Sequence, residues 1–195
     1  MAKHGAMHAA LVALSLLLLP VLAEAQPAPT RQQQSRQEEL NGLLDALKAA
    51  PDDATAQMME SRIRVLWAES ASPAAVLLLR RGARNLAAHT NDEALEDFDA
   101  AIILSPSSAE AWYQRALAYA ALADAPAAAR DLQEALRLEP RHFGALVTLS
   151  RLQEERGDAA GALRSMEAAL ALHPRLHGGQ ERLRELRRKA EGDAT

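Results

Sequence analysis

Three prolines, Pro106, Pro140 and Pro174, stand 34 residues apart, and each closes a segment with the same order of small and large side chains. A period of that length is one helix–turn–helix unit, whose apolar face is buried only when it stacks on its neighbours. Small residues recur at Ala94, Ala128 and Ala162 and again at Ala101, Ala135 and Ala169, two helical turns apart. Between them stands a bulky residue, Phe98, Leu132 or Met166, and Ile102, Leu136 and Leu170 follow. The first helix of each unit carries Leu78, Trp112 or Leu146, followed four positions later by the small Gly82, Ala116 or Ser150. Small is set against large in every unit.

Turn chemistry agrees with the period. Ser107 with Glu110 and Thr90 with Glu93 have the spacing of capping boxes, and Asp124-Ala-Pro126 and Gly157-Asp158 supply further stop and start signals. Each X-Pro step biases Ser105, Glu139 or His173 away from helical backbone, which ends the second helix of each unit.

The segment from Ala109 to Pro140 resembles the tetratricopeptide repeat family, with Trp112, Ala116, Tyr119, Ala128, Leu132, Ala135 and Pro140 at that family's packing positions. The resemblance implies an all-α fold, a right-handed solenoid of stacked antiparallel helix pairs, with units at 75–108, 109–142 and 143–176. The flanking units match less fully, and the chain departs from the pattern where Arg81 and Arg115 stand at a position usually leucine, with Leu149 only in the last unit, and where Asn85 and Gln153 stand at a position often aromatic.

Ahead of these units, Leu40, Leu43, Leu44 and Leu47 form an amphipathic stripe, and Met59, Ile63, Leu66 and Trp67 a second one after a cap at Asp52 or Asp53. Residues 38–74 therefore read as a helical hairpin, a degenerate repeat that starts the stack. Residues 177–195 read as a capping helix and tail, with Leu176, Leu183 and Leu186 inward and a basic outer side. Its charge is expected to be matched internally by Glu181 and Glu185.

Residues 1–25 follow a different logic. Lys3, the apolar run from Ala9 to Leu19, Pro20 and Ala23-Glu24-Ala25 have the layout of a secretory signal peptide cut after Ala25, with retention as an anchor as the other reading. Residues 26–37, rich in Gln and Pro, read as a flexible leader. The expected address is the periplasm, with no stable membrane insertion after the cut. A formal net charge of −4 argues against nucleic acid as the partner, and the absence of cysteine removes disulfides and thiolate chemistry.

No nucleophile elbow, phosphate loop or zinc-protease motif is present, so the expectation is no enzyme, no cofactor and no metal site. His173 and His177 have ligand-like spacing, but Pro174 interrupts the helix that would align them. Carried over from the family resemblance, the concave groove would be lined by Val76, Leu79, Ala83 and Leu86, by Glu110, Tyr113, Leu117 and Ala120, and by Val147, Arg151 and Glu154. This mostly apolar face suits an amphipathic helix or an apolar peptide of a protein partner. The expected function is thus a protein-binding scaffold or adaptor. The alternatives are a groove filled by the chain itself, and an accessory subunit docking through its outer surface or basic last helix. A homo-oligomer is left open.

Overall fold

The structure, a computed structural model, describes residues 30–192. The expected signal peptide, its cut site and the first part of the leader lie outside the described residues, as does the end of the tail. Among the described residues the chain forms α1 (Arg31–Leu47), α2 (Asp53–Ala68), α3 (Pro73–Ala87), α4 (Asn91–Leu104), α5 (Ala109–Ala121), α6 (Ala125–Leu138), α7 (Phe143–Glu155), α8 (Ala159–Leu172) and α9 (Gly179–Gly192). The pairs α3/α4, α5/α6 and α7/α8 stack in order, and α9 closes the far end against α8. This is an all-α solenoid of the tetratricopeptide type.

Local chemistry sets the helix ends. Ser105, Glu139 and His173, each before a proline, have left the helical region and carry the last backbone bond of α4, α6 and α8. Ser72, Asp124 and Asp158 cap α3, α6 and α8 by accepting a hydrogen bond from a backbone amide three residues on. Each turn within a unit passes through one left-handed residue at the same register position, His89, Ala123 and Gly157, with φ of 61°, 59° and 79°. Two of the expected capping boxes are not formed. Ser108, not Ser107, caps α5, which frees Glu110 for another partner; Thr90 makes no cap bond and donates its hydroxyl to the Asn85 carbonyl instead.

The core consists of junctions rather than of units. Phe98, Ala94 and Ala101 of the first pair bury Ala111 and Ala118 of the next, and Leu132, Ala128 and Ala135 bury Ala145 and Leu152 in turn. Met166 and Leu170 complete the series against Leu183 and Leu186 of α9. Inside the first pair, Gly82 lies under the Phe98 ring so closely that a Cβ there would sit 2.5 Å from a ring carbon.

Arg81 and Arg115 are ion-pair residues. Arg115 donates through Nε and Nη2 to the two oxygens of Asp131 at 2.7 and 2.8 Å, reaches Asp99 of the preceding unit at 2.6 Å, and lies over the Trp112 ring. Arg81 donates through Nε and Nη2 to one oxygen, Oδ1, of Asp97, one of the most buried side chains, and Asn85 donates to the other at 3.1 Å. The third unit has Leu149 and Ser165 at these two positions; Ser150 donates to the Ala162 carbonyl there, and Ser165 faces Gln153. Arginine and aspartate sixteen residues apart therefore occur together or not at all.

The first two helices depart from expectation. The leader expected over 26–37 is helical from Arg31, because Thr30 and Gln33 form a reciprocal capping box that starts α1. The α1/α2 hairpin, moreover, does not occupy the place of a preceding repeat. The α3 positions that would receive such a repeat are open: Leu77 is 67% exposed, whereas its counterparts Ala111 and Ala145 are fully covered. Arg84 and Glu93 are likewise exposed where later units bury Ala118 and Leu152, and Ala127 and Gly161. Charge at stacking positions marks this as a solvent-facing end.

Instead α2 runs lengthwise along the stack. Its first turn meets Arg175 just after α8, Glu60 meets His173, Trp67 stacks on His142, and Glu69 and Ser72 return the chain to Arg80 and Ser105 of the first unit. Leu40, Leu44, Leu47, Ile63, Leu66 and Trp67 form one core with Phe143.

Two outcomes test this packing in thermal or chemical melts. Gly82→Ala should cost about 1–3 kcal/mol by driving a methyl into the Phe98 ring. Asp131→Ser should cost about 3 kcal/mol by stripping Arg115 of its main partner, and adding Arg115→Leu, which reproduces the third unit, should recover most of that loss.

Candidate functional site

The groove residues inferred from the sequence divide into four groups. Glu110 and Tyr113 on α5 are buried, each 8% exposed, at the edge where α2 passes. Leu79 is buried in the junction between α3 and α5, and Val147 packs beside Met166 and Leu183. Glu154 is taken by α9, whose Arg182 and Lys189 both pair with it. What stays open is a strip of Ala83 and Arg151, exposed, with Val76, Leu86, Leu117 and Ala120 half-buried.

The covered end is built around His142. Its Nδ1 accepts a hydrogen bond from the Ala145 amide at 3.1 Å, so the ring caps α7, and its proton resides on Nε2, which donates to Glu110 at 3.2 Å. The other Glu110 oxygen accepts from Gln114 at 2.6 Å. On one side of the imidazole, Trp67 stacks almost parallel, with ring centres 4.1 Å apart and planes 8° from each other; Tyr113 lies tilted at 4.5 Å. Phe143 touches both Trp67, at 5.0 Å, and His173, at 5.3 Å. A cavity of about 280 Å³ opens beside this cluster between Arg64, Trp67, Glu110 and Tyr113. Burial, and then the Glu110 charge, push the Tyr113 hydroxyl above its usual pKa, so it stays a neutral hydroxyl.

The polar end of the contact lies one unit further on. Arg175 donates to the Ala50 and Pro51 carbonyls at 2.8 and 2.5 Å and to Asp53 at 2.8 Å, while Arg141 bonds Asn41 at 2.5 Å and lies near Asp45. His173 donates through Nε2 to Glu60 at 3.1 Å, and Arg64 donates to the same carboxylate. His177 is exposed and takes no part. Of the basic residues of α9, Arg182, Arg187 and Lys189 are matched mainly from outside their own helix, by Glu154 and Glu167, with Glu185 assisting, while Arg184 and Arg188 are exposed.

Sequence reasoning missed the roles of His142, Trp67 and Arg175, and nothing in their spacing marks them. The paired recurrence of Arg81 with Asp97 and Arg115 with Asp131 was a readable signal for the interhelix ion pairs.

The hydrogen bond from His173, followed by that from Arg64, holds the Glu60 carboxyl at about 2, below its ordinary 4.5. A carboxylate with a depressed folded pKa stabilises the docked hairpin above the ordinary value, and the contribution is lost as pH falls from there through the folded value. Acidification from pH 4.5 to pH 2 should therefore loosen the hairpin, read as a change in Trp67 emission in a Trp112→Phe background. Glu60→Gln should flatten that change; an unaltered profile would remove Glu60 from the latch.

No family model matches the chain. A TPR repeat-containing protein of Rhizobium etli is 33% identical over 112 residues, 57% of this chain and 55% of the relative, so the match spans about half of that relative's length. The first TPR domain of Spaghetti, solved with the HSP90 peptide SRMEEVD, superimposes with a TM-score of 0.59 at 21% identity, covering 64% of this chain and 96% of that one. The TPR2B domain of yeast Sti1 in its Hsp70 complex gives 0.56 at 22% identity over 63% and 99%. MamA gives 0.51 at 17% identity over 81% and 90%. At such identities the likeness to solved structures is one of fold. Register, stacked helix pairs and these similarities together show that the chain has the tetratricopeptide-repeat fold.

Proposed function

We propose that this protein is a non-catalytic scaffold or adaptor of the bacterial periplasm that holds a helix or apolar peptide of a protein partner on its concave face. The observation that carries this reading is the strip left after the hairpin has docked. Leu86, Leu117 and Ala120 remain half-buried, and the exposed Ala83 and Arg151 edge them. Apolar side chains kept partly in water gain free energy on contact with an apolar segment, and an arginine at the rim selects and orients it. Two similar domains are named for complexes with HSP90 and Hsp70 peptides, which supports a polypeptide as the ligand class. The basic residues Arg182, Arg187 and Lys189 of α9 are engaged with Glu154 and Glu167, which favours the groove over the last helix as the docking surface.

Among the described residues, no helix is long and apolar enough to cross a membrane. Export is supported by the charge, apolar run and small-residue end of the first 25 residues.

Affinity capture from the native envelope, comparing wild type with Ala83→Glu/Ala120→Arg, is the test. A groove ligand should fall by at least tenfold in the variant, about 1.4 kcal/mol or more. Retention of every captured protein would refute the groove. Fractionation with N-terminal sequencing should find a periplasmic chain starting at Gln26, and a cytoplasmic chain starting at Met1 would refute export.

A further inference from the structure

The hairpin is built as a body of its own. Leu40, Leu44 and Leu47 of α1 pack on Ile63 and Leu66 of α2, and the pair joins the stack through the short turn at 69–72. It meets the stack through a few side chains of α2 at helical spacing, Glu60, Arg64 and Trp67, at i, i+4 and i+7, together with the Arg141 and Arg175 bonds at its far end. Trp67 is the anchor, 4% exposed between His142 and Phe143.

The seat is incomplete in its polar chemistry. The Trp67 indole nitrogen and the Nδ1 of His173 are both buried without a hydrogen-bond partner. Each such atom disfavours the docked state relative to a solvated one. Among the described residues one other buried side-chain atom lacks a partner, the Asn91 Oδ1 at the start of α4, so two of the three fall at this one contact. Unpaired polar atoms concentrated at one contact make that contact the place where the molecule opens.

We propose that the α1/α2 hairpin is a displaceable internal ligand, seated on the turn-side half of the concave face in place of a partner helix that carries a carboxylate, a basic residue four positions on and an aromatic ring three beyond that. This rests on the groove reading above and names its ligand. The occupant is argued from the one now seated there: α2 supplies the ring for the His142/Phe143 slot, the carboxylate for His173, and the cation above Phe143. A partner spanning the whole face must take that half from α2. A tether of a few residues gives α2 a high effective concentration, so it wins against weak competitors and yields only to a helix with more contacts.

The probe is a fluorescein-labelled peptide of residues 52–70, titrated by anisotropy onto the full chain. Trp67→Ala, which empties the slot, should bind it at least tenfold more tightly than wild type, and a peptide with Ala in place of its Trp should lose that gain. Circular dichroism and the melt establish that the variant is folded. If it is not, Arg175→Ala, which releases the far end and leaves the slot intact, serves in its place and should show the same direction of change. Equal or absent binding in folded variant and wild type would overturn the proposal and make the hairpin a fixed brace. Wild-type dimers that Trp67→Ala abolishes would assign the slot to a second copy and overturn the partner-helix assignment. Because no natural partner enters this titration, it can fail while the groove survives envelope capture, and the reverse.

Discussion

Everything in this molecule depends on the nesting of a bulky side chain into a notch left by alanine or glycine at the same register position of adjacent helices. Phe98 over Gly82, Leu132 between Ala128 and Ala135, and Met166 between Ala162 and Ala169 are fully or almost fully buried, and each cluster extends into the next unit. Since no helix pair closes its own core, stability accumulates junction by junction. The stack therefore needs two finished ends. At the far end α9 supplies Leu183 and Leu186; at the near end the chain places Arg84 and Glu93 where a further repeat would need small apolar residues.

Within that frame, polar pairs replace apolar contacts without loss of register. Arg81 with Asp97 and Arg115 with Asp131 join the two helices of their units, and Leu149 with Ser165 does without the charge in the third. Removing one partner of such a pair leaves a charge in a poor solvent, whereas replacing both can be nearly neutral. Arg115 goes further, since its reach to Asp99 binds one unit to the next.

The hairpin changes what the concave face can offer. By running lengthwise rather than stacking, α2 covers Glu110 and Tyr113 and leaves Leu86, Leu117 and Ala120 beside Arg151. Part of the surface is thus presented to solvent and part is held by the chain's own hairpin. A binding face divided in this way responds to a ligand through competition.

By itself the sequence determined the period, the ends of the second helices and the interior, because those follow from contacts between residues a fixed number of positions apart: the prolines that end α4, α6 and α8, and the alanines that bracket Phe98, Leu132 and Met166. The candidate groove was legible only as a face. Which of its members are open depends on what lies across them, and that was decided by contacts more than a hundred residues apart, such as Glu60 with His173 and Arg175 with Ala50. Periodicity places the two apolar stripes of the hairpin on helices but carries no information about the direction in which the pair is laid down. That direction was set by one aromatic slot and a few charge-assisted hydrogen bonds, whose partners have no fixed spacing to read, and only the tertiary structure brings them together.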